Sequence, residues 1–303
     1  MLAVLAVMSN EALAQNQPMF TQYMFNEVYI NPAYAGSRDN LSVTALRRMQ
    51  WVGIDGAPTT NTLTAHAPIM GKRIGVGLTV VNDQIAVTKQ TGVYASGAYR
   101  LPMPKGTLSF GLQLGLLSHI ERLADVSTST AGDDQFIANT DRVLVPNFGF
   151  GTFYKSENWY AGLSIPRMME NNVTASASAT DVKNKVRLGS WHYFLTGGLV
   201  KSINSNMRVR PNAMIKIAGG APVEVDLSCD VVFHDKIWAG LAYRTGDAAS
   251  LLLGGWITPQ LRIGYSYDYT LSALQRFNSG SHEIMLGYDF SFKADKLMTP
   301  RFF

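Results

Sequence analysis

The sequence predicts an all-β protein: a transmembrane antiparallel β-barrel of about fourteen strands, with an N-terminal segment at its periplasmic mouth or inside its lumen. Three observations lead to this fold class. Short segments that alternate apolar with polar residues fill most of the chain, and the links between them alternate in length. Charged residues make up only 16% of the 303, below the quarter usual for soluble domains. No run of about 20 apolar residues, the length that a spanning helix needs, is present.

The start of the chain has the pattern of an export signal. An apolar stretch from Met1 to Met8 leads to Ala12-Leu13-Ala14, a small-x-small cleavage site that is followed by Gln15. The positively charged beginning of such signals is missing, so we expect the signal peptide to start upstream of residue 1. A buried N-terminal helix is the alternative. The prediction is a signal peptide over 1–14 that exports the chain to the outer membrane.

Residues 15–40 differ from the segments on both sides. They are aromatic, rich in amides and nearly uncharged, without the alternation of a half-buried strand. Asn31-Pro32 disfavours a continuous helix, because the residue before proline is pushed out of the α region. An even number of strands would leave both chain ends on the side of the short turns. We therefore expect a compact periplasmic or lumen-plugging segment, with Phe20, Tyr23, Phe25 and Tyr34 against the inner wall or periplasmic rim.

The barrel is predicted over 41–292, followed by a periplasmic tail over 293–303. The alternation is clearest in 107–116, 261–269 and 283–292, where one face is apolar and the other is small or polar. The predicted strand cores are 41–51, 58–67, 73–82, 91–101, 106–119, 142–154, 157–165, 190–201, 206–217, 222–233, 236–245, 248–257, 260–269 and 281–292.

The links support a membrane barrel over a soluble sandwich, which would also alternate. Tight links are expected near 103–106, 155–158, 202–206, 234–235 and 258–260, and longer ones near 82–90, 120–141, 166–189 and 270–281. Short turns on one side and long loops on the other are typical of outer-membrane barrels. Four tryptophans near strand ends fit an interfacial girdle, whereas the phase of Trp238 points inward; the four are Trp51, Trp159, Trp191 and Trp256.

Two consecutive strands carry opposite charges. If their loop is centred near Gly220, Lys216 faces Glu224 and Arg210 faces Asp230, and each cross-strand pair contributes roughly 0.2–1 kcal/mol. We interpret this ladder as a lumen wall joined by ion pairs; a substrate path is the alternative. Its members are Arg208, Arg210, Lys216, Glu224, Asp226 and Asp230.

No pattern of catalytic, cofactor-binding or metal-ligating residues emerges. The five histidines lack metal-ligand spacing, and nucleophile-elbow and phosphate-loop motifs are missing. Cys229 is the single cysteine of the sequence, so no intrachain disulfide can form. It belongs to the apolar face of its strand. A calcium site formed by Asp133, Asp134 and Asp141 is a weaker interpretation than a solvated loop. The net charge of +4 is scattered, which does not indicate a nucleic-acid surface.

The N-terminal segment closely resembles the motif of the PorP/SprF family, outer-membrane proteins of the type IX secretion system and gliding motility. The ending Pro300-Arg301-Phe302-Phe303 also resembles that family. Glu27-Val28-Tyr29 departs from it, where proline and aliphatic residues are expected, which affects only a local turn. The motif residues are Pro18, Phe20, Gln22, Tyr23, Met24, Phe25, Asn26, Asn31, Pro32, Ala33, Tyr34 and Gly36.

The resemblance implies a non-enzymatic role without cofactors. Family members help one large secreted protein, often an adhesin recognised by its C-terminal domain, to reach or stay on the cell surface. The implied partners are that C-terminal domain, periplasmic lipoprotein and ring components of the type IX system, and outer-membrane lipid. The residues themselves leave an outer-membrane diffusion channel or small-molecule transporter open as the alternative, with a barrel hydrolase more remote.

Overall fold

A computed structural model describes residues 17–125, 139–176, 179–185 and 191–290. Its strands form one closed antiparallel barrel, which confirms the predicted fold class. The barrel has fourteen strands, because β10 and β11 are consecutive pieces of one strand and both pair with β12. No helix in the described ranges is long and apolar enough to cross a membrane.

The barrel strands before the longest links are β1 (Leu41–Met49), β2 (Thr59–Ile69), β3 (Ile74–Ile85), β4 (Thr88–Met103), β5 (Gly106–Glu121), β6 (Val143–Lys155) and β7 (Trp159–Ile165). The later ones are β10 (His192–Leu199), β11 (Lys201–Asn204), β12 (Met207–Ala218), β13 (Glu224–Phe233), β14 (Ile237–Arg244), β15 (Ala248–Trp256), β16 (Leu261–Thr270) and β17 (Ser281–Phe290).

Short elements complete the described chain. A hairpin that the sequence did not predict, β8 (Glu170–Ser176) and β9 (Ala179–Lys185), forms a separate two-stranded sheet in the link after β7. One four-residue α-helix, α1, spans Glu27–Ile30. The 3-10 turns are Tyr23–Phe25, Pro32–Tyr34, Leu123–Asp125 and Ala273–Phe277.

The barrel closes where the first strand meets the last. β1 pairs with β17 in an antiparallel register from Leu41 opposite Phe290 to Met49 opposite His282. This pairing joins the two ends of the sheet, which would otherwise be open edges that lipid could not satisfy. The last strand is described as far as Phe290, and residues 291 and 292 of the predicted barrel lie outside the described residues. The predicted signal peptide and C-terminal tail lie outside the described residues.

The two ends of the barrel differ. β1 begins and β17 ends at one of them, the turn end, where links such as 104–105 and 156–158 are short. The other end, the loop end, carries the links 50–58, 122–142, 166–191 and 271–280. Because short turns face the periplasm in outer-membrane barrels and long loops face outward, the loop end is extracellular.

One expected long link proved wrong. β3 and β4 continue in register to Ile85 opposite Thr88, so only residues 86 and 87 connect them, not the longer link expected near 82–90. Ala86 takes a positive φ of 49°, which lets the chain reverse in this tight turn. The alternation of β3 and β4 is less regular here, which hid the extension of the hairpin.

Side chains on the outer wall suit lipid. Leu112, Leu114 and Leu241 are 65%, 68% and 67% exposed, whereas the residues between them along the strands point inward. This is the alternation of an apolar lipid-facing surface with an inner wall. Trp238 faces inward, as predicted. Trp256 also faces inward, because its ring centroid lies 4.7 Å from that of Trp238. The assignment of Trp256 to the interfacial girdle was therefore wrong. Its position in β15 has the phase of the buried Leu252.

Candidate functional site

The lumen is filled by the N-terminal segment, residues 17–40, which we call the plug. The four aromatic side chains expected against the inner wall or rim, Phe20, Tyr23, Phe25 and Tyr34, are 2%, 1%, 4% and 3% exposed. A short helix and two 3-10 turns fold the segment compactly enough to fit inside the barrel. The apolar core of the molecule therefore consists of plug side chains packed against inward-facing side chains of the barrel strands.

The plug runs the length of the lumen. Thr21 contacts β16 and β17 near the loop end, through Asp268 and Glu283. Gly36, at its other end, contacts His66 near the turn end of β2. The described chain therefore starts in the extracellular half of the lumen and leaves it on the periplasmic side, where β1 begins.

Three buried ionic side chains hold the plug near the loop end; we call Arg48, Asp268 and Glu283 the loop-end clamp. The backbone N–H of Thr21 donates to Glu283 Oε2 at 2.9 Å, and that of Gln22 donates to Oε1 at 2.8 Å. Arg48 Nη1 lies 2.6 Å from Asp268 Oδ2 and 3.2 Å from Glu283 Oε2. The Thr21 hydroxyl donates to Asp268 at 2.9 Å. Buried charges are tolerated here because they are paired and hydrogen-bonded.

Inward glycines make room for the middle of the plug. Asn31 Nδ2 donates to the carbonyl of Thr152 at 2.9 Å, and its Oδ1 accepts the N–H of Ala33 at 3.0 Å, which caps the turn Pro32–Tyr34. A Cβ on Gly151 would overlap Asn31 Oδ1, and one on Gly111 would overlap the backbone of Ala33. The barrel wall and plug backbone thus approach more closely than any side chain would permit.

At the turn end the plug is held by an aromatic stack and a hydrogen bond to an imidazole. The N–H of Gly36 donates to His66 Nδ1 at 3.1 Å, so His66 is neutral with its proton on Nε2. The ring of Tyr34 lies edge-on to His66 and to Phe153, at 5.3 and 5.2 Å between centroids. Arg38 donates from Nε to the Tyr34 hydroxyl at 3.2 Å and lies near Asp289.

The predicted charge ladder lines the lumen in the predicted register. Lys216 lies opposite Glu224, and Arg210 opposite Asp230 with Nε 2.6 Å from Oδ1. The remaining members pair elsewhere: Asp226 with Arg244 at 2.8 Å, and Arg208 with Asp235 at the turn end at 3.1 Å. The ladder is therefore part of a wider ionic wall.

Arg210 also faces the plug. Its guanidinium carbon lies 5.2 Å from the ring centroid of Phe25, and 5.8 and 5.9 Å from those of Trp238 and Trp256. Phe25 and Trp238 are 5.0 Å apart. A weakly hydrated guanidinium suits such an aromatic surrounding, with Asp230 balancing its charge.

Glu27, on the helix α1 of the plug, is the one acidic residue of 17–38 and is 1% exposed. Burial raises the pKa of its carboxyl to about 8, although the hydroxyls of Tyr160 and Thr196 lower it. Burial also raises the pKa of Tyr23, with Glu27 adding to the effect. The raised pKa favours the neutral carboxyl of Glu27 at pH 7, which lowers the cost of placing this side chain inside the lumen.

The remaining motif residues also lie in the plug. Asn26 Nδ2 donates to Thr62 at 3.3 Å, and its Oδ1 accepts from Thr64 at 2.7 Å. The carbonyl of Pro18 accepts from the Tyr29 hydroxyl at 3.4 Å. All twelve except the half-buried Pro18 are buried. The motif therefore contributes internal packing of the barrel.

Several functional residues were not predicted, above all Arg48, Asp268, Glu283 and the inward glycines. The signal that could have found the charged ones is a charge at an inward position of a membrane strand, since such charges are rare and paired. Cys229 is exposed on the outer wall. No group of possible metal ligands occurs among the described residues; Asp133 and Asp134 lie outside them.

The fold and the filled lumen define a plugged outer-membrane β-barrel. The family model described as type IX secretion system membrane protein PorP/SprF matches residues 12–288. The chain belongs to this family.

Three solved structures are similar to this chain at low sequence identity. Omp33 of Acinetobacter baumannii is 11% identical, with coverage of 83% of this chain and 98% of that one and a TM-score of 0.49. A FadL homologue of Pseudomonas aeruginosa is 13% identical, with coverage of 91% and 95% and a TM-score of 0.49. The translocator domain of autotransporter NalP from Neisseria meningitidis is 12% identical, with coverage of 89% and 98% and a TM-score of 0.47. No curated protein matches the chain.

Proposed function

We propose that this barrel is a non-enzymatic anchor of the type IX system, which binds the C-terminal domain of a large secreted surface protein at its loop end. The filled lumen carries this proposal. A channel needs a continuous water path, whereas here the plug is buried from Gln17 to Arg38 almost without interruption. A signal peptide over 1–14 delivers the chain to the outer membrane, and periplasmic lipoprotein and ring components meet its turn end.

The loop end offers a surface for such a cargo. Two loops are joined there by backbone hydrogen bonds, from Val52 N to the Gly280 carbonyl at 2.8 Å and from Ser279 N to the Val52 carbonyl at 2.7 Å. Leu274 and Phe277 project from the 3-10 turn of the second loop and are 36% and 69% exposed. Apolar side chains left exposed outside the lipid-facing strands are typical of protein interaction surfaces.

The test is surface display of the partner adhesin on intact cells. A variant lacking the hairpin 170–185, and a second variant carrying Leu274→Ser and Phe277→Ser, should both lower adhesin display while the barrel itself remains in the outer membrane. Val223→Ser, which changes an exposed apolar residue in the link between β12 and β13, is the matched control and should leave display unchanged. Normal display from both loop variants would exclude docking at the loop end.

Co-purification from native membranes separates anchoring from transport. The wild-type barrel should bring down the adhesin, and the loop variants should lose it. The channel alternative expects no such partner and requires the plug to leave the lumen. Conductance of the purified wild-type protein would favour that alternative.

A further inference from the structure

A cavity of about 480 Å³ opens at the turn end of the barrel. Its lining includes four cations, Lys72, Arg73, Arg100 and Lys155, and one carboxylate, Asp39, which leaves a net charge of +3. The proposed anchoring site lies at the opposite end. Nothing in the binding of cargo uses this cavity.

The cations of the lining come from three different parts of the barrel wall. Lys72 and Arg73 belong to the turn between β2 and β3, Arg100 to β4, and Lys155 to the end of β6. Residues 37 and 39 of the plug also line the cavity, where the plug leaves the lumen. A ligand would therefore enter from the periplasm along the barrel axis and contact both wall and plug.

Arg100 is the fixed element of the cavity. It is 7% exposed, its Nη1 donates to the carbonyl of Lys72 at 3.1 Å, and its Nη2 lies 3.6 Å from Asp39 Oδ1. Its Nε is buried without a hydrogen-bond partner in the described part of the chain. A buried guanidinium whose nearest carboxylate is 3.6 Å away has donor capacity to spare, and an anionic group in the cavity would offer it a second acceptor.

Lys72 and Lys155 also have partners in the lining of the cavity. Lys72 Nζ lies 3.6 Å from Asp39 with a side chain that is 62% exposed, and Lys155 Nζ donates to the carbonyl of Ser37 at 3.1 Å. Because one carboxylate is shared by Lys72 and Arg100, their charges are only partly balanced. A concave surface of one sign concentrates the field and attracts ligands of the opposite sign.

We propose that this cavity binds an acidic peptide segment of a periplasmic protein, with carboxylates placed against Arg100, Lys72 and Arg73. A volume of about 480 Å³ exceeds that of one carboxylate or phosphate and lies within the range of built ligand sites. Clusters of basic side chains around a groove recognise acidic motifs in this way. Residues 291–303 of the chain itself carry three basic side chains and one acidic one, the wrong sign for this cavity.

The test measures the binding of fluorescein-labelled hexaglutamate to the full chain in detergent micelles at low ionic strength. Hexaglutamate should bind, and hexalysine should not. Lys72→Glu combined with Arg73→Glu should weaken binding by about tenfold or more, because charged partners contribute strongly at a concave site. Lys201→Glu combined with Lys236→Glu makes the same change of charge at the turn end but outside the cavity. This variant should bind hexaglutamate with the same affinity as the wild type.

Equal affinity in the two double variants would overturn the proposal, since binding would then follow net charge alone. Absence of binding to the wild type would overturn it as well. Inorganic phosphate is added as a competitor. If phosphate displaces the peptide at equal concentration, the cavity is a site for small anions and the peptide assignment is wrong. Both double variants change exposed side chains, and heat-modifiable migration on gels verifies that each barrel is folded.

Discussion

The backbone N–H of Gln22 donates to the carboxylate of Glu283 at 2.8 Å, inside the lumen and 261 positions apart in the chain. Glu283 is 0% exposed and belongs to the last strand, whereas Gln22 belongs to the plug. The hydrogen bond therefore joins the beginning of the described chain to its end, next to the seam where β1 and β17 close the barrel. Plug and closure are held by the same side chain.

Replacing Glu283 by Ala should release the extracellular half of the plug. The N–H groups of Thr21 and Gln22 lose their acceptor, and Arg48 loses one of its two carboxylates, so we expect stability to fall by about 3–5 kcal/mol. Thermal unfolding in detergent and protease cleavage near residue 20 measure the effect.

Asp247→Asn is the control: this carboxylate lies 3.4 Å from Arg244 at the loop end and is 26% exposed. Its loss should cost under about 1 kcal/mol. Equal effects of the two variants would contradict the role of the clamp.

Gly151→Ala should push Asn31 out of its position, since the added methyl group would overlap the Asn31 amide. Overpacking of this kind costs about 1–3 kcal/mol, measured as a lower unfolding temperature. Gly97→Ala is the matched control, because a Cβ there meets nothing within 4 Å.

A double variant tests whether the effect of Gly151→Ala comes from its contact with Asn31. Asn31→Ala removes the amide that the new methyl would meet, so Gly151→Ala added to Asn31→Ala should cost much less than Gly151→Ala alone. Additive losses would show that the glycine is needed for the strand itself and not for the plug.

The fold could be predicted from the sequence because its signals are local. Strand geometry places every second side chain on the same face, as in Phe110, Leu112 and Leu114. The lengths of the links distinguish the periplasmic end of the barrel from the extracellular end. The pairing of Arg210 with Asp230 could be predicted by placing the centre of the intervening loop near Gly220. These features need no knowledge of where the rest of the chain lies.

The contacts of the plug could not be predicted in the same way. Asp268 and Glu283 meet Thr21 only because the barrel closes, since they lie 247 and 262 positions from it in the chain. Arg48 is 27 positions from Thr21, but it belongs to the first strand and meets the two carboxylates of the last strands through the same closure. Inward glycines such as Gly151 likewise give no sign of the plug in the sequence. A small inward residue fits water and a packed backbone equally well, so the pattern of alternation does not distinguish them.

The two arginines of β12 should respond very differently to charge reversal. Arg210→Glu places a carboxylate beside Asp230 and among three aromatic rings, and should cost about 3–5 kcal/mol. Arg208→Glu changes a pair at the turn end whose side chains are 24% and 31% exposed, and should cost under about 1 kcal/mol. Unfolding in urea compares the two. Unchanged stability of Arg210→Glu together with altered conductance would instead support a substrate path.

Glu27 should make the stability of the plug depend on pH. The pKa of its carboxyl is about 8 in the folded barrel against 4.5 in an unfolded chain, so the folded state binds the proton more tightly. Its contribution is complete below about pH 4.5 and is lost as the pH rises through about 8. The unfolding temperature of the wild type should therefore fall relative to that of Glu27→Gln between about pH 5 and about pH 9. Parallel pH profiles of the two proteins would contradict a buried, protonated Glu27.

Deleting residues 17–36 should convert the closed barrel into an open one. The inner wall then keeps its serines, threonines and paired charges but loses the side chains that fill it, and a fourteen-stranded barrel encloses a lumen wide enough for water. Planar-bilayer recordings should show no conductance for the wild type and stable steps for the deletion variant. The barrel lacking the hairpin 170–185 keeps its plug and should stay closed, which separates loss of the plug from shortening of the chain. A deletion variant that remains closed would place the seal in the loops, and a conducting wild type would show that the plug leaves the lumen unaided.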